Sequence, residues 1–181
     1  MIIGNGDIAS VINDREDLVI FACGVSDSQC TDEKEFDREA NRLLEIARYK
    51  HVVYFSSLSI YEKDTPYTKH KRYIEKYIKS LFPVYTIIRL GNITWGKNPN
   101  TIINYFKDKV SKCEKVELRD EYKYLCTEEE LNYWISKIPR FSTEMNITGE
   151  RISARKLYDR IYNDYFYIKV MKPPLNDKMF R

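Results

Sequence analysis

His51-Val-Val-Tyr-Phe-Ser-Ser57 is the stretch that decides the fold. Its apolar residues run on without alternation, the pattern of a strand buried on both faces, as in a parallel sheet. Upstream, Asp17-Leu-Val-Ile-Phe-Ala22 repeats the pattern between a charge and Gly24. Downstream, Val84-Tyr-Thr-Ile-Ile88 repeats it again and leads into Arg89-Leu-Gly-Asn92. Between the first two runs, Phe36, Ala40, Leu43, Leu44 and Ala47 recur at helical spacing, with Ser28 or Thr31 as the cap. Between the last two, Pro66 opens a helix over 67–81 whose apolar positions are Tyr67, Ile74, Ile78 and Leu81. Strand and helix thus alternate across 17–92. Right-handed crossovers then give a parallel sheet with helices on its faces and ligand sites at the carboxyl ends of the strands.

Before this block, Met1-Ile2-Ile3 predicts a strand, and Gly4-Asn5-Gly6-Asp7-Ile8-Ala9 a tight turn and helix start. Backbone N–H groups at such a helix start can cradle a pyrophosphate. After it, Asn98-Pro99-Asn100 marks a turn, followed by an amphipathic helix near 100–111 and a short strand at 115–118. A helix capped by Thr127 runs to Ile138, a strand covers 145–147, and Ser153 caps a helix to Asn163 bearing Leu157 and Ile161. Pro173-Pro174 to Arg181 reads as an extended surface segment. The expected division is a core over 1–97 and a small C-terminal lobe over 98–181, partly integrated with the core.

The chain has 181 residues, enough for one domain or one with a small appendage. Its 30 Lys+Arg against 27 Asp+Glu leave a net charge of only +3, spread along the chain, which gives no nucleic-acid footprint. No apolar run is long enough to cross a membrane, and no secretory signal opens the chain, so the expected compartment is the cytoplasm. Four cysteines (Cys23, Cys30, Cys113, Cys126) form no CxxC pair, and only two histidines accompany them. No metal site is expected, and the cysteines read as reduced filler residues. His51 and His70 read as exposed or strand-edge residues.

Tyr67-Thr-Lys-His-Lys71 opens the second helix with a Tyr and a Lys four apart, hence on one face. A cation near a phenol favours the phenolate, which suits a proton shuttle. Ser57 ends the neighbouring strand and can offer its hydroxyl to a substrate oxygen. Together with the glycine turn, with Val53-Tyr-Phe-Ser-Ser-Leu-Ser-Ile-Tyr61 and with Thr86-Ile-Ile-Arg-Leu-Gly-Asn-Ile93, the chain resembles the extended short-chain dehydrogenase/reductase family. These are the NAD-dependent epimerases and dehydratases that act on nucleotide sugars. Asn146-Ile147 and Ile152-Ser153 resemble the family's C-terminal substrate lobe.

The resemblance implies a Rossmann-like α/β fold and a catalytic set: Tyr67 as acid/base, Lys71 as its tuner and a ribose anchor, Ser57 as orienter. It implies NAD or NADP held by Gly4, Gly6, Ala22, Cys23, Gly24, Ser56, Tyr67 and Lys71. A nucleotide sugar would meet Ser59, Asn92 and Trp95, with Trp95 and Tyr61 flanking the pocket. It also implies a homodimer paired through the helices at 34–50 and 67–81, and work in surface polysaccharide synthesis. Asn41 lies in the helix where the family tends to use an Asn, but in poor register. The alternative is a non-catalytic relative that binds a nucleotide or nucleotide sugar.

Two spacings depart from the family pattern. Only Ser10 to Glu16 separate the glycine turn from the strand at Asp17, where a doubly wound fold has a helix, a second strand and an acid for the ribose hydroxyls. That βαβ unit is expected to be missing. A dinucleotide should then bind weakly, with little discrimination between NAD and NADP, unless Asn13, Asp14 or Arg15 folds back to supply the contact. Ser57 and Tyr67 are also only ten apart, which shortens the intervening substrate loop.

Overall fold

A computed structural model describes residues 1–171; the tail from Pro173 lies outside the described residues. Five strands form one all-parallel sheet: β1 (Ile2–Ile3), β2 (Val19–Phe21), β3 (Val52–Ser57), β4 (Tyr85–Leu90) and β7 (Thr143–Ile147), adjacent in that order. Helices α1 (Glu33–Leu44) and α2 (Pro66–Leu81) connect β2 to β3 and β3 to β4. The strand pleat divides the core. Val19, Phe21, Val52, Tyr54 and Ile87 face α1 and α2, where Leu43, Ile74 and Ile78 pack on them. Ile20, Val53, Phe55 and Ile88 face the opposite side, against Leu131 and Ile135 of α4 (Glu128–Ser136). The runs without alternation are therefore strands covered on both faces, as the sequence predicts.

The expected helix after the glycine turn does not form. Residues 4–18 run as turns and loop, and β1 stands at the sheet edge beside β2, with Ile2 opposite Ile20. The loop does a helix's work by other means. Ile8, Val11 and Ile12 pack into the same cluster as α4. Asn132 of α4 donates to the Val11 carbonyl at 2.8 Å and accepts from the Asn13 N–H at 3.0 Å. Arg15 donates to the Ile135 and Ile138 carbonyls, satisfying acceptors that a helix end leaves open. Asp14 pairs with the chain's amino terminus. Asn13, Asp14 and Arg15 are thus committed to α4 and Met1, away from the strands' carboxyl ends.

A second sheet joins β5 (Asn92–Ile93), β6 (Tyr122–Cys126) and β8 (Glu150–Ser153); β6 pairs with β5 in parallel and with β8 antiparallel. Ile103 and Phe106 of α3 (Ile102–Ser111) and Leu157 and Ile161 of α5 (Ala154–Met171) pack with Leu125 and Ile152 of that sheet. From the segment after residue 97, β7 joins the five-stranded sheet and α4 packs on it, while β5 pairs in the second sheet. The strand expected at 115–118 is loop, and β6 lies a few residues later. Asp32 rather than Ser28 or Thr31 caps α1, accepting from the Lys34 N–H at 2.9 Å. Leu44 and Ala47 are exposed, and a buried Glu39 takes part of the helix's inner face. Thr127 and Ser153 cap α4 and α5 as predicted. Burial pushes the Cys126 thiol up to about 12, in keeping with an inert filler.

Gly4 has φ +132°, and a Cβ there would collide with the Ala22 carbonyl. Its role is to let the chain leave β1 hard against β2. Gly4→Ala should cost about 1–3 kcal/mol of stability, read from the urea midpoint of the ligand-free protein.

Candidate functional site

The carboxyl ends of β1 to β4 open into a cleft with two lobes. The inner lobe, about 580 Å³, is walled by Gly6 and Asp7, by Ala22, Cys23 and Gly24 after β2, by Arg38 and Arg42 of α1, and by Ser56 at the end of β3. The outer lobe, about 480 Å³, is walled by Ser59, Tyr105 and the Tyr122 to Tyr124 segment of β6. Ser57, Tyr67 and Asn92 line both and mark their junction. Each lobe lies within the usual size of a small-molecule site.

Local chemistry positions the junction. Thr65 caps α2 in a capping box with Thr68, and Pro66 begins the helix, so Tyr67 emerges in its first turn. Tyr67 is 6% exposed, yet its hydroxyl has no hydrogen-bond partner among the described residues. Ser57 ends β3 and caps the short 3₁₀ turn Leu58–Tyr61; its Oγ lies 2.8 Å from Ser59 Oγ and accepts from the Ser59 N–H. Ser56 Oγ, in the inner-lobe wall, is buried with no hydrogen-bond partner among the described residues. A buried hydroxyl left open costs free energy unless something in the cavity answers it. Asn92 turns its amide to the Tyr124 carbonyl at 3.3 Å.

Four predicted site residues stand elsewhere. Gly4 lines neither lobe; its contact with Ala22 is backbone packing. Trp95 packs against the α4-side core and donates its indole N–H to the Asp7 carbonyl at 2.8 Å, so it braces the loop instead of facing ligand. Tyr61 is 59% exposed and bonds Asn146 and Arg89, outside both lobes. The fourth is Lys71, on the expected helix face but only 2% exposed and lining neither lobe.

Lys71 is drawn away by Glu39, which sequence reasoning missed. Its Nζ donates to Glu39 Oε1 at 3.0 Å and lies 5.6 Å from the Tyr67 ring centroid. Glu39 has no exposed surface and collects three further partners: Tyr54 Oη at 2.7 Å, the Val25 N–H at 2.8 Å and His70 Nε2 at 2.9 Å. His70, expected exposed, is buried and stacks on Phe36. His51 is half-buried, its ring bonded to Thr86. Burial pushes the Glu39 carboxyl up; Lys71's charge and the hydrogen bonds from His70, Val25 and Tyr54 outweigh it and hold the group well below the usual carboxylate range. Gly24 is what lets the β2 end approach: a Cβ there would stand 2.6 Å from Glu39 Oε1 and 3.0 Å from Lys71 Nζ. A glutamate next to the small residue Ala40, on a helix already assigned an apolar face, carried no local signal for this role.

The inner lobe has only part of what a dinucleotide site needs. Ser56 offers an open hydroxyl and Gly6 an open backbone, but the helix start that would cradle a pyrophosphate is absent. Among the described residues no cluster of His, Cys, Asp or Glu could hold a metal, and no helix is long and apolar enough to cross a membrane.

No protein-family model matches the sequence. No curated protein matches it either. Solved structures do match. The Bordetella bronchiseptica enzyme WbmG, crystallised with NAD and UDP, superposes with a TM-score of 0.67 at 14% identity, over 82% of this chain and 56% of that one. The dTDP-4-dehydrorhamnose reductase of Bacillus anthracis, with NADP, gives 0.66 at 17% identity, over 83% and 62%. The UDP-N-acetylglucosamine 4-epimerase of Methanobrevibacter ruminantium, with UDP-N-acetylmuramic acid, gives 0.65 at 15%, over 90% and 64%. The chain spans less than two thirds of each structure's length. It has the Rossmann-like fold of these enzymes in shortened form.

Removing one partner of a buried ion pair leaves the other unanswered, so Glu39→Gln should destabilise the protein by about 3 kcal/mol in urea unfolding at neutral pH. The Glu39 carboxyl is depressed in the folded state, so its contribution is present above the ordinary carboxylate pKa and is lost as pH falls below it. The gap between wild type and Glu39→Gln should therefore be widest near neutrality and narrow in acid. A gap independent of pH would show that the carboxylate's charge contributes nothing.

Proposed function

We propose that this chain serves an NAD(P)-dependent epimerisation, dehydration or reduction of a nucleotide sugar, with the cofactor in the inner lobe and the sugar in the outer one. The observation that carries this reading is the junction: Ser57 and Tyr67 line both lobes, and the Tyr67 hydroxyl has no partner among the described residues. When bound, the nicotinamide would supply the hydride acceptor or donor. In this reading the chain's own groups do the rest. Tyr67 Oη exchanges a proton with the sugar oxygen whose carbon is oxidised or reduced. Ser57 Oγ hydrogen-bonds that same oxygen and fixes its orientation, while the Ser59 N–H and hydroxyl hold Ser57 in place. Ser56 Oγ meets the cofactor's nicotinamide half. Lys71 acts only through its charge, across 5.6 Å to the Tyr67 ring, and Glu39 opposes that charge.

One observation favours the second reading, a non-catalytic relative that binds a nucleotide or nucleotide sugar. Lys71 is sealed under the cleft and bonded to Glu39, so it reaches no ribose. The lost βαβ unit points the same way. The two readings part on a direct test: a nicotinamide absorbance in the purified protein with turnover of a nucleotide sugar supports the enzyme, whereas sugar-nucleotide binding without turnover supports the relative.

A second copy is the partner we infer for α2, because Tyr73 is 56% exposed and stacks with Tyr77 at 5.8 Å, and aromatics concentrate at interfaces. Light scattering at micromolar concentration should give the dimer mass; the monomer mass would remove this inference. For the chemistry, Tyr67→Phe should lower kcat roughly a hundredfold with KM little changed, the scale of general acid–base catalysis. Full rate in Tyr67→Phe, where chemistry limits turnover, would overturn the assignment.

A further inference from the structure

Helix α4 has three of its sides accounted for among the described residues. Leu131 and Ile135 are buried in the core cluster beneath it. On one flank, Asn132 bonds the 4–18 loop at the Val11 carbonyl and the Asn13 N–H. On the other, Glu130 lies against Gly149, where a Cβ would stand 2.8 Å from its Oε2. The fourth side faces outward. Glu129, Tyr133 and Lys137 follow one another there at intervals of four, which makes them one stripe. All three are exposed, Tyr133 by 55%. Trp134 beside them is 40% exposed and meets the Tyr133 ring in a T-shaped pair, 5.4 Å between centroids.

Apolar residues scattered singly on a surface are ordinary, whereas Tyr and Trp side by side are the groups that concentrate at protein interfaces. The charges around them specify the partner. Glu129 stands at the start of α4 and Lys137 just past its end, each one turn from Tyr133. Neither is in an ion pair among the described residues. The Lys137 Nζ only overhangs the Tyr133 ring, 5.4 Å from its centroid. A stripe that reads acid, aromatic, base is its own complement when reversed. Two such stripes laid antiparallel about a two-fold axis at Tyr133 set each Glu129 opposite a Lys137 and bring the aromatic pairs together. A parallel pairing would instead oppose like charges.

We propose that the outer stripe of α4 is a docking surface for a second copy of this chain, paired antiparallel through Glu129, Tyr133 and Lys137. The contact is separate from the one inferred for α2. The two helices cover opposite faces of the five-stranded sheet, so both contacts can form in one assembly. The stripe lines neither lobe of the cleft, and the inference does not rest on the proposed reaction. A patch centred on two aromatic rings belongs to the small, transient class of interface, so it fills only at high concentration.

Sedimentation equilibrium on the intact protein, from micromolar to about millimolar concentration, tests it. The weight-average mass should climb toward twice its micromolar value, and the climb should weaken as salt rises. Tyr133→Asp puts two like charges at the axis, and Glu129→Lys sets cation against cation. Each should abolish the climb, with a melting curve verifying that both variants fold. Glu129→Lys/Lys137→Glu should restore it. That double variant places both charges at the unfavourable ends of the helix dipole, so restored association does not come from a firmer helix. A flat mass in the wild type overturns the docking surface. So does a climb that survives in Tyr133→Asp and Glu129→Lys, or a double variant that stays as dissociated as Glu129→Lys. The micromolar mass reports on α2 and the climb on α4, so the two inferences fail separately.

Discussion

A carboxylate cut off from water is tolerable only when its charge is answered, and at Glu39 an ammonium, an imidazole, a phenol and a backbone N–H answer it together. Glu39 and its partners come from four parts of the chain. Glu39 stands on α1, Lys71 and His70 on α2, Tyr54 on β3, and Val25 follows β2. One side chain thus fixes how the two helices sit over the sheet and how the β2 end turns into the cleft. Moving any one of these elements would strand a buried charge or polar group, whereas a purely apolar contact could slide and repack. The same bond explains why Lys71 lies under the cleft instead of in its wall.

The sheet is complete enough to bury both faces, although it lacks the unit that normally follows its first strand. On the α4 side, three apolar residues of the 4–18 loop fill the space a helix would take, and Asn132 and Arg15 stitch that loop to α4. At the cleft, Asp7 and Trp95 tie the same loop to the segment after β5. The shortening therefore removes the adenosine side of the usual site but leaves the junction of Ser57 and Tyr67 between two lobes. A chain that spans little more than half of WbmG still overlays it with a TM-score of 0.67.

The central strands were legible because each is a local signal: a run of β-branched and aromatic residues with no polar break. Their helices were legible from period and caps, and Thr127 and Ser153 were found at the ends they cap. The second sheet was harder. β6 reads Tyr122-Lys-Tyr-Leu-Cys126, and only its last two residues are buried. Such a strand gains its place from pairing with β5 and β8, which are distant in sequence, so no window of residues announces it. The helix expected after Gly6 failed for the opposite reason: its glycine signature was local, but the chain has too few residues before Asp17 to complete and return a helix.

By itself the sequence determined the parallel sheet, the order of its central elements, the loss of the βαβ unit, and the placing of Ser57 and Tyr67 at the strands' carboxyl ends. Each follows from short-range pattern or from a count of residues, and the solid geometry of strand and helix does the remainder. Only the tertiary structure decided which polar groups face the cleft. Lys71 and Tyr67 share a helix face in any helix, yet one lines the cavity and the other is buried, because the buried carboxylate of Glu39 lies 32 positions away from Lys71 and meets it only after α1 and α2 pack. Arg38 and Arg42 likewise line the inner lobe only once α1 has packed on the sheet. Charge is cheap to place on a helix surface and costly to bury, so its partners are chosen by the assembled fold and not by the sequence around it.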